Sequence, residues 1–108
     1  MVAADELERL RPTEGARFLL QLDGVDEDGA RARYRAWVLT PGESFEYQAT
    51  LGDDAAVEVR AVGAAAAAEL TTMLTTIARL TARAAAGKRT DGLPPWPHRV
   101  MRWRGPGR

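Results

Sequence analysis

The chain has no cysteine, so disulfide staples, thiol nucleophiles and Cys-His catalysis are excluded. His98 is the sole histidine, too few for a histidine-rich metal site. Ser44 is the sole serine. It falls in or beside a predicted hairpin turn, and nothing in the sequence brings it near His98, so a Ser-His-Asp arrangement has no support. No run approaches the roughly 18 apolar residues of a membrane span. The opening residues Val2-Ala3-Ala4-Asp5-Glu6 are acidic and carry no apolar core of a secretory signal. By default the chain is read as cytoplasmic.

Other chemistry-bearing patterns also fall short. Asp26-Glu27-Asp28 and Asp53-Asp54 are carboxylate clusters in turn-like stretches, but their spacing matches no calcium loop. Gly87-Lys88-Arg89-Thr90 glances at a phosphate-binding loop. It lacks the upstream glycine and the Ser or Thr after lysine, and it ends a helical pattern rather than starting one. The expectation is therefore a protein that is not an enzyme, with no cofactor, no metal and no small-molecule substrate.

What is present is one ordinary soluble domain's worth of chain: 108 residues, 45% hydrophobic and 28% charged. The net charge of zero hides a segregation. Residues 1–78 sum to −7 and residues 79–108 to +7. Such a chain can hold its own tail, meet a second copy of itself, or present the tail to something anionic.

Residues 64–87 form the most regular stretch. Leu70, Met73, Leu74, Ile77, Leu80 and Ala84 recur at helical spacing, which predicts one apolar stripe facing a core. Alanine fills much of the rest. Gly87 stands where a C′ glycine would close the helix, and Lys88 and Arg89 suit the negative end of its dipole.

Four alternating segments precede it. Phe18, Leu20 and Leu22 alternate along 17–22; Tyr34, Ala36 and Val38 along 31–39; Phe45, Tyr47, Ala49 and Leu51 along 45–51; Val57, Val59 and Ala61 along 57–61. Turn-forming stretches separate them, including Thr40-Pro41-Gly42-Glu43. Folding each turn symmetrically pairs Leu20 with Tyr34, Tyr34 with Ala49, and Ala49 with Val57, so core-type residues meet in every hairpin. The fold class predicted is α+β: a four-stranded antiparallel meander packed on one long helix in two layers, followed by a Pro/Trp/Arg-rich tail. In domain terms, residues 1–16 are a tail or short helix, 17–87 the β4α domain, and 88–108 a proline-rich linker and basic-aromatic tail. Ala3, Leu7 and Leu10 suit a short amphipathic helix, while the tail after Pro97 reads as either two turns of helix or a strand.

Two sets of residues are candidates for partner binding. Arg31, Arg33, Arg35 and Trp37 share the face of their strand turned away from the long helix, which the two-layer reading leaves uncovered. Trp96, Arg99, Arg102, Trp103 and Arg104, with Arg108 beyond, form a basic-aromatic tail. Arginine beside an aromatic grips phosphates and stacks on bases; the same groups also serve protein interfaces. Two functions follow as expectations. The first is a small non-enzymatic interaction module, homodimeric, that contacts partners by the open sheet face or by the tail. The alternative is a single-stranded nucleic-acid binder using both sets. Four strands followed by a helix is similar in arrangement to the Whirly-type single-strand binders, although none of their sequence motifs occurs here.

Overall fold

The computed structural model describes residues 2–105. Arg108, counted above with the basic tail, lies outside the described residues. The chain runs α1 (Ala4–Arg9), β1 (Ala16–Val25), β2 (Arg31–Leu39), β3 (Ser44–Gly52), β4 (Val57–Ala61), α2 (Ala68–Thr90) and β5 (Arg99–Arg104). It is an α+β fold. The meander β1–β4 is antiparallel throughout, and the tail adds a fifth strand against β1, giving the order β4-β3-β2-β1-β5.

Both readings of the tail were open in the sequence, and the strand prevails for a reason visible in the register. Val100 lies opposite Leu20, so the one aliphatic residue between His98 and Met101 falls on the core face. Two indole and phenol groups fix the segment before it. Trp96 Nε1 donates to the Gly29 carbonyl at 2.8 Å, and the Tyr34 hydroxyl donates to the Pro97 carbonyl at 2.7 Å. Gly15, at φ +74°, admits the end of β5: a Cβ there would collide with the Arg104 carbonyl oxygen.

The register of the central hairpin is the symmetric one, with Tyr34 opposite Ala49 and Ala36 opposite Tyr47. The outer two hairpins are displaced by two residues from the symmetric reading. Leu22, not Leu20, meets Tyr34: the turn is displaced by three, and a bulge at Leu22/Gly24 takes one residue back. Val59, not Val57, meets Ala49. A shift of two preserves which face each side chain occupies, so the core still consists of Phe18, Leu20, Tyr34, Val38, Tyr47 and Leu51, all buried.

Helix α2 ends later than its glycine suggested. Gly87 is interior, Asp91 is the C-cap, and Gly92 takes the left-handed conformation at φ +72°. The Leu93 amide donates to the Lys88 carbonyl and the Gly92 amide to that of Arg89, the Schellman pairing. At the other end no side chain caps Ala67. The Tyr47 hydroxyl instead accepts from the Ala66 amide at 2.8 Å and shares a 2.7 Å hydrogen bond with Thr71.

The side of α2 that meets the sheet is not the expected one. Leu74, Ala78, Ala82 and Ala85 are the buried residues, and Leu70, Met73 and Ile77 are partly buried beside them. Leu80 is 57% exposed and Ala84 is exposed. At about 100° per residue, the stripe through Met73, Ile77, Leu80 and Ala84 sits roughly a third of a turn round from the alanines. Small residues let a helix approach a sheet closely, so Ala78, Ala82 and Ala85 share the contact with Leu74 while Leu80 and Ala84 are turned to the flank.

The opposite face of the sheet is open only in part. Leu7 and Leu10 pack, with Val2, onto Leu19, Trp37 and Leu39 as a second, smaller core. Trp37 is only 2% exposed. The expectation of an uncovered face around Leu19 and Trp37 is corrected accordingly: the amphipathic N-terminal segment folds back and covers it.

Candidate functional site

The nine candidate residues are dispersed by the fold. Alternation places Arg31, Arg33, Arg35 and Trp37 on the α1 side of the sheet, as predicted, but only part of that set is accessible. Arg33 pairs with Asp26 at 2.9 Å and Arg35 with Glu46 at 2.9 Å. The Arg35 guanidinium also stands 5.3 Å from the centroid of the Trp37 ring, within cation–π range. Arg31 remains exposed at the edge of this row. Such partly solvated pairs contribute about 0–1 kcal/mol each. Their consequence is positional: they occupy the guanidiniums that a phosphate would need.

The tail residues divide in the same way. Trp96 is 5% exposed and belongs to the main core. Arg99 turns to the α1 side, where it meets Glu6 and Gln21, each at 3.1 Å. Trp103 is on that side too, opposite Arg17. Its indole nitrogen donates to the Glu14 carbonyl at 3.1 Å, yet the residue stays 54% exposed. Arg102 and Arg104 are on the α2 side, opposite Phe18 and Ala16. Neither forms a salt bridge among the described residues.

These two arginines border a surface groove of about 580 Å³ between α2 and β5. Its floor contains Phe18 and Val100. One wall is the α2 flank, Met73, Ile77, Leu80 and Ala84; the far rim is Arg102 and Arg104, and Lys88 stands near the end of α2. Arg99 contributes lining atoms as well, but its guanidinium is held on the α1 side by Glu6, so Lys88, Arg102 and Arg104 are the cations at the groove, and no acidic residue lines it among the described residues. The groove is a direct result of the layer geometry. A helix with its side chains is about 10–12 Å across, enough to cover two strands spaced about 4.8 Å apart. Helix α2 packs over β2, β3 and β4, and the groove follows its β1 and β5 side above Phe18 and Val100, which are already buried.

Sequence reasoning found the arginines of this groove but not its apolar wall. The signal was present: the helix carries more large apolar residues than one stripe needs, and Leu80 and Ala84 extend the pattern on one side. Helical spacing alone places them in one stripe with Leu70, Met73, Leu74 and Ile77 and does not separate the part that meets the sheet from the part that flanks it.

The groups with catalytic potential are not brought together. His98 lies at the Leu22 end of β1, where its carbonyl accepts from the Leu22 amide at 2.8 Å. Ser44 lies opposite Leu39, at the other end of the sheet, and its hydroxyl accepts from Arg11 Nε at 3.3 Å. Among the described residues no cluster of three or more His, Asp or Glu side chains could hold a metal ion. No described helix is long and apolar enough to cross a membrane. Tyr34 has a displaced titration: burial raises its pKa well above its ordinary value near 10. Its hydroxyl is committed to Pro97, so the shift has a structural cause.

No protein-family model matches the chain, and neither a curated protein nor a solved structure shows significant similarity to it.

Proposed function

We propose that the protein is a small, non-enzymatic interaction module that meets a protein partner through β5 and the adjoining flank of α2. The observation that carries this reading is exposed apolar surface on both sides of one edge: Leu80 at 57% on the α2 side, with Arg102 and Arg104, and Trp103 at 54% and Met101 at 38% on the α1 side. Aromatic, Met and Arg side chains are the enriched residues of protein interfaces. Strand β5 is also a sheet edge with one row of backbone groups unpaired by the sheet, a surface proteins either protect or use.

The test is site-specific photocrosslinking in the source cells. A photoreactive residue at position 80 or 103 should give discrete adducts, whereas one at Val62, exposed beyond β4, should not. No adduct from either groove position would sink the reading. Homodimerisation is measured in parallel by sedimentation equilibrium.

A second reading, single-stranded nucleic-acid binding, draws on Arg102, Arg104 and Lys88, the cations without a salt bridge among the described residues at the groove. The acid-paired Arg33 and Arg35 and the buried Trp37 give it less support than their sequence pattern suggested. Anisotropy titrations of labelled oligonucleotides at low and high salt decide it, because phosphate contacts weaken steeply with salt.

A further inference from the structure

The geometry points to an occupant for the groove: we propose that it receives an amphipathic α-helix of a partner protein, with acidic residues flanking its apolar stripe. This rests on the interaction-module reading and names the chemistry of the partner.

Three observations converge. The first is dimension. Residues of α2 from Thr72 to Lys88 line the groove, about 24 Å of helix, a length along which a second helix can lie. A partner helix of about sixteen residues laid beside α2 spans that length. The second is apolar spacing. Met73, Ile77, Leu80 and Ala84 follow i, i+4, i+7, i+11, the pattern of a helix that packs on another helix. Phe18 and Val100 lie beneath. An apolar stripe on the incoming helix would cover Leu80, now largely exposed. The third is charge. Lys88, Arg102 and Arg104 border the groove without a salt bridge and without an acid among the described lining residues, so carboxylates along the edges of the partner helix would be met on entry.

The same charges argue against a second copy as the occupant. Its α2 would arrive with Arg79, Arg83 and Lys88 on or near its own flank, opposing like charges. Its acidic helix α1 has six residues, and Leu7 is already committed to covering Trp37.

The experiment uses synthetic peptides and the intact chain. A fluorescent sixteen-residue-class helical peptide, about four turns, carries Leu at i, i+3, i+4 and i+7 with Glu on both flanks. It is compared with its Lys-for-Glu counterpart, with the Glu peptide in scrambled order, and with oligothymidine of similar length. Saturable binding of the Glu helix is expected, with the Lys and scrambled peptides at least about tenfold weaker. Leu80→Glu and the double variant Arg102→Glu/Arg104→Glu should each weaken it about tenfold, while Val62→Glu leaves it unchanged. Circular dichroism melts verify that each variant is folded; the arginine pair serves alone if Leu80→Glu is not.

The inference is overturned if the scrambled Glu peptide binds equally, since bulk charge would then suffice. It is also overturned if oligothymidine binds more tightly than the Glu helix, or if sedimentation shows a dimer that Leu80→Glu dissociates, making a second copy the occupant. Crosslinks from positions 80 and 103 without preference for the acidic helix reject this occupant and leave the interaction module standing. The absence of both rejects both.

Discussion

The hydroxyl of Tyr34 donates to the carbonyl of Pro97 across 2.7 Å, joining positions 63 residues apart in the chain. Tyr34 is in the middle of the sheet and Pro97 is the last residue but one before β5. One hydrogen bond therefore ties the meander to the strand that borders the groove. Tyr34→Phe removes the donor and leaves a carbonyl unpaired, at a cost of about 1–2 kcal/mol. For a domain near 100 residues each kcal/mol corresponds to a fall of about 4–8 °C in Tm. An unchanged melt would show that water replaces the phenol without loss.

The same phenol makes stability depend on alkaline pH. Burial raises the Tyr34 pKa above its ordinary value near 10, so the folded state holds the proton that the unfolded state releases. The contribution is complete below the unfolded pKa of about 10 and is lost as pH rises from there toward the folded value. Urea midpoints measured from about pH 8 to 11 should decline more steeply for the wild type than for Tyr34→Phe above about pH 10. Parallel declines would assign the alkaline loss to other groups.

Two leucines of α2 separate the core from the groove. Leu74 is fully buried and Leu80 is 57% exposed. Leu74→Asp buries a carboxylate among apolar side chains and should unfold the domain; even Leu74→Ala should cost about 2–5 kcal/mol. Leu80→Asp should change stability by no more than about 0.5 kcal/mol. Comparable melts for the two Asp variants would contradict the rotation of α2 described above.

The small core under α1 makes a separate claim. Leu7 packs against the cluster formed by Val2, Leu19, Trp37 and Leu39. Leu7→Glu should cost about 1–2 kcal/mol and shift tryptophan emission to the red as Trp37 gains water. Wild-type emission together with a wild-type melt would mean that α1 does not protect Trp37 in solution.

Much of the sheet was legible in the sequence because a two-residue period is insensitive to loop detail. Tyr34, Ala36 and Val38 identify one face whether the neighbouring strand is in register or slipped by two, as at Leu22 and Val59. The long helix was legible as an element, but its rotation was not. Periodicity locates a stripe by the size of its residues, whereas packing here favours the closest approach, and Ala78, Ala82 and Ala85 allow a closer one than Leu80 does. The tail's aromatic groups were misleading for a related reason. Trp96 looks like a contact residue in a basic segment, yet its indole nitrogen finds the Gly29 carbonyl and its ring fills the core. Composition cannot tell an aromatic anchor from an aromatic probe. The groove itself is a property of layer widths and has no linear motif.

Strand β5 joins β1 only after the rest of the fold has passed between them. Neighbouring strands of the meander close short loops, while the pairing of Leu20 with Val100 encloses most of the chain and carries a larger closure entropy. Joining β5 to β1 is thus the longest loop closure in the sheet, and the burial of Trp96 and Val100 in the main core offsets it.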